Sequence, residues 1–272
     1  MKKLRKLLAV VMIVAMMIPV TAFAAEPSQQ AINLAECSVY ARSAVYNGEV
    51  QVAEIRAIVD GKVVSLKKDV DYTLSGARTA QNVSDECIFS INGVGKYTGS
   101  ATVAFEIVPA NLKDFGTVTA KSLTYTGESQ TSLVTVKVGS KVLSSADVTI
   151  KGNVRKNAGT YKVYAAGKGN YTGVINTTVT VNKAKPTLKG PSVLKVDAAK
   201  VKKAAQKVAI KVGAPETTTY TYTSSTKNIT VSKSGVATVA KGTKAGTYKV
   251  LVKSAATHNY TAGSKIVYIV VK

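Results

Sequence analysis

The stretch Gly169-Asn-Tyr-Thr-Gly173 is the most informative part of this chain, because the chain repeats it. It recurs as Gly95-Lys-Tyr-Thr-Gly99 and, more loosely, as His258-Asn-Tyr-Thr-Ala-Gly263. A second phrase, Ala-Gly-Thr-Tyr-Lys-Val, occurs at 158–163 and again 87 positions later at 245–250. Self-similarity at such spacings predicts three copies of one small domain in a row, an array that builds length and surface rather than one deep cleft.

The first 24 residues have the pattern of a secretory signal peptide. Lys2 and its neighbours supply a positive start, Leu7 to Val20 is an apolar run of 14, and Ala22-Phe23-Ala24 offers a small-x-small cleavage site. A run of this length is short for crossing a bilayer, which favours a cleaved signal over an uncleaved anchor. We therefore expect a secreted, extracellular protein associated with the cell surface, with no integral membrane segment after cleavage.

Short strands account for most of the chain after residue 30. Val134–Val138, Thr177–Val181 and Lys265–Val271 are rich in Val, Ile, Thr and Tyr, which strands prefer. Turn pairs such as Asn47-Gly48 and Asp60-Gly61 separate the runs at regular intervals. This pattern predicts an all-β protein built from antiparallel sandwiches.

Prolines mark the predicted boundaries between the repeated units. Pro109 and Pro186 interrupt strand pairing between the runs. We therefore divide the mature chain into a first repeat (25–110), a second repeat (111–185) and a third repeat (186–272).

One segment of the third repeat fits the strand pattern less well. Residues 197–208 have helical propensity, yet their apolar positions are poorly spaced for a helix. We interpret this segment as strand, turn and strand.

Five tyrosines stand at corresponding places in the repeats. In immunoglobulin-type sandwiches a tyrosine near the start of strand F returns its hydroxyl to the preceding corner. Tyr161 and Tyr248 fit this tyrosine corner, since each follows a glycine that suits a tight turn. Tyr97, Tyr171 and Tyr260 belong to the repeated hairpin phrase. We interpret all five as architecture.

These phrases resemble the bacterial immunoglobulin-like (Big-type) repeats of Gram-positive surface and secreted proteins. Asp71-Tyr-Thr-Leu74 and Tyr125-Thr-Gly127 add to the resemblance, and residues 222–239 are similar to the second common class of such domains. The resemblance implies three tandem immunoglobulin-like antiparallel β-sandwich domains. It implies no catalytic residues, because members serve as stalks, spacers, adhesins and accessory modules of wall enzymes.

Both cysteines of the chain, Cys37 and Cys87, lie in the first repeat. Cys87 stands ten residues before Tyr97, as Tyr161 stands ten before Tyr171, so it replaces the corner tyrosine. In an exported protein this pair favours a disulfide. It would close a loop of about 50 residues and contribute at most about 4 kcal/mol in the chain-entropy model. Two buried thiols are the alternative.

Positive charge rises steeply along the chain. The first repeat holds 7 basic and 10 acidic residues, the second 11 and 3, and the third 15 and 2. A block this basic attracts polyanions, and outside a bacterium we expect the partner to be anionic cell-wall polymer such as teichoic acid. Simple solubility and protected strand edges are the alternative explanation. The candidate contact residues are Lys200, Lys202, Lys203, Lys207 and Lys211.

The sequence offers few residues that could carry out acid–base catalysis or bind a metal ion. His258 is the sole histidine, and a Ser–His–Asp arrangement would need Asp197 or Glu216 to hold it. No dedicated calcium loop, Cys/His zinc cluster or phosphate loop is present. We therefore expect no catalytic residue, no metal and no cofactor. The acidic residues that leave calcium open as an alternative are Asp60, Asp69, Asp71, Asp85 and Glu86.

The sequence thus predicts a non-enzymatic stalk, adhesion or wall-association protein. Its near-neutral first repeat would project outward from the wall-bound basic repeats. A module that binds a carbohydrate or host protein, or an accessory subunit of a cell-wall hydrolase, remains the alternative. The chain has no Trp and 4 Phe, which argues against the aromatic platforms of glycan binders, and we expect no nucleic-acid partner.

Overall fold

The computed structural model describes residues 30–272, so the signal peptide predicted at 1–24 lies outside the described residues. The described chain is almost entirely β, with strands of two to nine residues. No helix within residues 30–272 is long and apolar enough to cross a membrane.

The strands alternate with turns throughout the described chain. Up to residue 108 they are β1 Ile32–Asn33, β2 Ser38–Ala41, β3 Ala44–Val45, β4 Gln51–Val52, β5 Ile55–Val59, β6 Lys62–Ser65, β7 Tyr72–Ser75, β8 Thr79–Ala80, β9 Cys87–Gly93, β10 Tyr97–Thr98, β11 Ser100–Phe105 and β12 Ile107–Val108. Between 110 and 182 they are β13 Ala110–Asn111, β14 Gly116–Ala120, β15 Leu123–Thr124, β16 Gln130–Thr131, β17 Val134–Val138, β18 Lys141–Val142, β19 Val148–Lys151, β20 Val154–Arg155, β21 Gly159–Gly167, β22 Tyr171–Thr172 and β23 Val174–Asn182. The last are β24 Val193–Val196, β25 Gln206–Ala209, β26 Tyr220–Ser224, β27 Ile229–Val231, β28 Val236–Val239, β29 Gly246–Ser254 and β30 Gly263–Val271. The helices are a 3₁₀ turn at Leu34–Glu36, α1 at Leu112–Phe115 and α2 at Ala198–Lys203.

The third repeat divides its strands between two sheets. One has the order β24-β30-β29-β26, with β24 parallel to β30 and the other pairs antiparallel, and the second has the order β25-β28-β27. Alternate residues of both sheets point into one apolar core, which includes Val201, Ile229, Val250 and Val267. This split into two facing sheets is the immunoglobulin-like arrangement.

The second repeat follows the same plan, with one sheet of four strands and one of three. Its larger sheet has the order β15-β23-β21-β19, and its smaller sheet the order β14-β17-β18. The buried side chains of Val136, Val148 and Ala165 belong to its core. Together with the third repeat, this confirms the predicted all-β fold of tandem immunoglobulin-like sandwiches.

Contacts within the chain define two compact units. The described part of the first comprises residues 30–40, 54–77 and 88–103, and the second comprises 41–53, 78–87 and 104–272. The first unit has a core of its own, in which Leu34, Ile55, Tyr72 and Ile91 are buried. The predicted repeat boundaries after residues 110 and 185 stay predictions.

The expectation of strand, turn and strand over 197–208 is wrong, because α2 occupies its first half. The Asp197 carboxylate accepts hydrogen bonds from the amides of Ala199 and Lys200, which is the role of a helix N-cap. Val201 faces the core and is fully buried. One apolar contact and one cap therefore suffice for a helix too short to show a periodic pattern.

Candidate polyanion-binding surface and repeat joints

The two tyrosines of the Ala-Gly-Thr-Tyr-Lys-Val phrase bond back to the preceding corner. The Tyr161 hydroxyl donates to the carbonyl oxygens of Asn157 at 3.0 Å and Ala158 at 3.3 Å. The Tyr248 hydroxyl donates to the carbonyl oxygen of Lys244 at 2.8 Å. These are the bonds that a tyrosine corner makes, and they tie the turn to the start of a long strand.

Neither cysteine of the first repeat carries a disulfide in this structure. Cys37 is half-buried and Cys87 is buried, and both are thiols. Burial, with a smaller contribution from the Asp85 charge, raises the pKa of the Cys87 thiol and keeps it protonated at neutral pH. The Cys37–Cys87 disulfide stays a prediction, which counting the alkylatable thiols of the native protein would test.

The hairpin tyrosines each pair with the segment that leads into their repeat, which for Tyr171 and Tyr260 is the end of the repeat before. Tyr97 pairs in parallel with Ile32, Tyr171 pairs with Ala110, and Tyr260 forms an isolated parallel bridge with Ala184. Tyr97 and Tyr171 are buried, whereas Tyr260 is half-buried. The repeated hairpin therefore anchors the entry segment of every repeat.

The asparagine before Tyr171 reaches outside its own repeat. The Asn170 Oδ1 atom accepts a hydrogen bond from the amide of Val83 at 2.8 Å, and its Nδ2 atom donates to Asn82 Oδ1 at 2.9 Å. Tyr171 meets Tyr46 edge to face, with ring centroids 5.3 Å apart. All of these residues belong to the second compact unit, and we call this set the Asn170 joint.

The same arrangement recurs one repeat later as the Asn259 joint. The Asn259 Oδ1 atom accepts from the amide of Ala158 at 2.8 Å, and its Nδ2 atom donates to Asn157 Oδ1 at 3.5 Å across the repeats. The same Nδ2 atom also donates to Glu216 Oε1 of its own repeat at 2.7 Å. Tyr260 meets Tyr125 edge to face at 5.4 Å. An Asn-Tyr pair thus joins a repeat to the corner and opening strand of the repeat before it.

Sequence reasoning missed these joints, because it assigned Tyr171 and Tyr260 to their own hairpins only. The signal that could have found them is a third echo, Tyr46-Asn-Gly-Glu49 and Tyr125-Thr-Gly-Glu128. Each of these phrases supplies the tyrosine that receives the next repeat. The corresponding hairpin residue of the first repeat is a lysine, Lys96, which lies 5.1 Å from the Tyr97 ring.

The glycine that ends the repeated phrase is required by a close approach. Gly173 has φ of +81°, and a Cβ atom there would lie 2.1 Å from Asn111 Oδ1. Gly99 makes the same approach to Asn33. In both repeats the asparagine caps the following helical turn, so the hairpin and the cap can coexist only with glycine at this position.

The five lysines predicted to contact polyanions are all exposed and lie at one end of the third repeat's sequence. Lys200, Lys202 and Lys203 belong to α2, whose inward face is Val201. Lys207 lies on β25, and Lys211 follows that strand, so all five exposed lysines fall within residues 200–211.

These cations are left without carboxylate partners. Within residues 111–272, all of which the structure describes, no lysine or arginine forms an ion pair; the pairs shown, Arg56–Glu54 and Lys68–Asp69, lie in the first repeat. The nearby Asp197 carboxylate is engaged in capping α2. Like charges on one short helix repel each other, so an anion bound there would relieve the repulsion.

Two of the five acidic side chains considered for calcium serve as turn caps in this structure. Asp71 accepts from the amide of Lys67, and Asp85 accepts from the amides of Gln81 and Asn82. The hydrogen bonds from Asn82 and Gln81 hold the pKa of Asp85 below its usual range. Among residues 30–272, no three His, Cys, Asp or Glu side chains are grouped closely enough to hold a metal ion.

Glu216 is committed to the Asn259 joint rather than to the only histidine. It accepts from the Thr257 hydroxyl and from the side chain and amide of Asn259. These bonds, Thr257 first, and to a lesser extent the nearby His258, hold the pKa of Glu216 below its usual range. His258 itself is exposed.

Comparison with known proteins gives similarity to solved structures at low sequence identity and low TM-score. No family model matches the chain, and no curated protein matches it. Solved structures similar to it include Drosophila N-cadherin EC1-3, at 14% identity with 86% of this chain and 88% of that chain covered and a TM-score of 0.29. Drosophila OTK extracellular domains 3-5 match at 14% identity, with 85% and 94% covered and a TM-score of 0.32. Sidekick-1 immunoglobulin domains 1-4 match at 9% identity, with 85% and 74% covered and a TM-score of 0.30.

These scores are low, so the class of this protein follows from its own strand pairing. It is a tandem array of immunoglobulin-like sandwiches, with joints built from repeated Asn-Tyr pairs.

Proposed function

We propose that this chain is an exported, non-enzymatic protein of a bacterial surface, whose second and third repeats bind anionic cell-wall polymer. One observation carries the proposal. Residues 111–272 hold 26 basic and 5 acidic side chains, and none of the cations is ion-paired. The resemblance to Gram-positive surface repeats supplies the setting, in which teichoic acid is the abundant polyanion.

The mechanism is attraction between many weak charges rather than one specific pocket. Each exposed lysine contributes only about 0.2–1 kcal/mol to an ion pair in water, so retention needs several contacts at once. Such contacts are screened within about 8 Å at physiological ionic strength. The near-neutral first repeat would gain little from the wall and would project outward.

Retention on purified walls at rising salt tests the proposal. We expect the mature protein to be retained at low salt and released as salt rises, and to be lost from walls stripped of teichoic acid. Retention unchanged by salt, or by removal of teichoic acid, would overturn the proposal.

Two charge-matched variants sharpen this test. Replacing five third-repeat lysines by glutamine should weaken retention about tenfold or more, whereas replacing five exposed cations of the first repeat should change it less than twofold. The third-repeat set is Lys200, Lys202, Lys203, Lys207 and Lys211. The control set is Arg42, Lys62, Lys67, Lys68 and Lys96.

A module that binds a small glycan is the second candidate, and a groove beside the Asn170 joint favours it. The groove has a volume of about 670 Å³ and is lined by Tyr46, Glu49, Phe115 and Lys141, among others. Phe115 is 52% exposed and brings an apolar ring face to the groove. A glycan array probed with the protein and with Phe115→Ser would separate this candidate, because its binding would resist salt.

A further inference from the structure

The outer faces of two equivalent sheets carry an arrangement that the sequence did not reveal. In the second repeat, Lys151 on β19 stands directly opposite Tyr164 on β21. In the third repeat, Lys249 on β29 stands directly opposite Tyr268 on β30. Side chains paired in this way have Cβ atoms about 4.5–5.5 Å apart on the same face.

Both tyrosines are exposed to solvent. Tyr164 is 43% exposed and Tyr268 is 40% exposed. The intervening residues of β21, Val163 and Ala165, are fully buried, so Tyr164 belongs to the outer face. In the described chain no cation lies over either ring.

Further lysines flank each tyrosine on the same face. Lys162 lies two residues before Tyr164 on β21, which places the two about 7 Å apart along the strand. Lys253 lies four residues after Lys249 on β29, about 13 Å along that strand, and Lys195 lies on β24. We call Lys151, Lys162 and Tyr164, together with Lys195, Lys249, Lys253 and Tyr268, the lysine–tyrosine face.

The equivalent face of the first repeat lacks both residue types. Its strand β9 presents Ile88, Ser90 and Asn92 at positions that correspond to Lys162, Tyr164 and Ala166. The face is therefore a property of the two basic repeats and not a requirement of the sandwich. This coincidence of lysine and exposed tyrosine points to a ligand.

We infer that the lysine–tyrosine face binds a polymer that carries both phosphate and sugar, with phosphates against the lysines and a sugar ring against each tyrosine. A tyrosine offers an apolar ring face with a polar edge, which matches the C–H face of a sugar, while ammonium groups act as point charges for separate phosphates. The inference rests on the proposed function and names the residues and the polymer class.

Composition favours such a polymer over nucleic acid. Among the basic residues of 111–272 there are 25 lysines and a single arginine, Arg155, whose guanidinium lies over the Tyr161 ring at 4.7 Å. Proteins that recognise nucleic acid by planar, bidentate contacts use arginine. Spaced lysines suit phosphates that are separated along a flexible chain.

Binding to matched polymers tests the inference on the full mature protein. The probes are a glycosylated polyol-phosphate teichoic acid, the same polymer with its sugars removed, and single-stranded DNA. The variant Tyr164→Thr/Tyr268→Thr keeps strand-favouring residues on the strands, and Tyr40→Thr, at an exposed tyrosine of the first repeat, is its control. We expect the double variant to lose about tenfold in affinity for the glycosylated polymer and less than twofold for the sugar-free one.

Lysine variants complete the test. Lys151→Gln/Lys249→Gln should lose about threefold more affinity for the glycosylated polymer than Lys200→Gln/Lys203→Gln, which removes the same charge from α2. Equal losses for the two pairs, or a tyrosine variant that binds both polymers like the parent protein, would overturn the inference while leaving salt-sensitive wall binding intact. Tighter binding of single-stranded DNA than of the glycosylated polymer, lost with the tyrosines, would instead assign the face to nucleic acid.

Discussion

The Asn170 and Asn259 joints use one motif with different support. In both, an asparagine Oδ1 atom accepts a backbone amide at 2.8 Å, from Val83 in one and Ala158 in the other. The Asn170 amide group then donates to a neutral partner, Asn82, whereas the Asn259 amide group donates to the Glu216 carboxylate. A hydrogen bond to a charged group is about twice as strong as a neutral one.

The aromatic halves of the joints differ as well. Lys141 lies 5.9 Å from the Tyr46 ring and 5.4 Å from the Tyr171 ring. Within residues 30–272, no cation lies over the other pair, Tyr125 and Tyr260. One joint is thus reinforced at its rings and the other at its asparagine, which shows that a repeated contact can be stabilised in separate ways.

The largest effect is expected from removing the asparagine that bonds a carboxylate. Asn259→Ala should lower the free energy of unfolding by about 3 kcal/mol, because it leaves the buried Ala158 amide without an acceptor and removes the side-chain donor to the Glu216 carboxylate. Asn170→Ala should cost about 2 kcal/mol. Urea unfolding would measure both, with the exposed Asn176→Ala as control; equal costs at the two joints would contradict the comparison.

A smaller effect is expected from the two tyrosine corners, one of which holds the backbone that the Asn259 joint uses. Tyr161→Phe should cost about 1 kcal/mol, because it removes the hydroxyl bonded to Asn157 and Ala158 beside the Asn259 joint. Tyr248→Phe should cost a similar amount. The exposed Tyr164→Phe serves as control, and no difference from it in urea unfolding would show that the corner bonds contribute nothing.

A still smaller loss of stability is expected when the cation beside the Tyr46 and Tyr171 rings is removed. Lys141→Met should lower the free energy of unfolding by about 0.5 kcal/mol through the Asn170 joint alone. Lys137→Met, on the exposed side of β17, removes the same charge away from the rings. A double-mutant cycle of Lys141→Met with Tyr46→Leu would show no coupling if the cation and the rings do not interact.

The smallest expected effect is on the pH dependence of stability, because only the Asn259 joint contains a carboxylate, that of Glu216. Because the folded pKa of Glu216 is lowered, its contribution to stability is fully present above its unfolded pKa, about 4.3. That contribution is lost as pH falls through the folded pKa. Glu216→Gln should therefore remove part of the acid sensitivity of the parent protein below pH of about 4.3; identical pH profiles of the melting temperature would contradict this role.

The sequence predicted the fold from repeated turn phrases because those phrases encode local geometry. Glycine and asparagine at the turns and alternating Val, Ile and Thr along the strands act within a few residues. The sequence did not predict helix α2, because the helix depends on one N-cap and one buried valine. Val201 becomes buried only when the two sheets face each other.

The amino-acid sequence alone therefore determined the strands, the tyrosine corners and the excess of lysine in the last two repeats. Only the tertiary structure decided which residues meet across repeats, since Asn259 and Ala158 are about a hundred positions apart. It also decided that Lys249 and Tyr268 share a face. Strand register converts distant positions into neighbours, and it is fixed when the turns form and the apolar faces of the strands pack together.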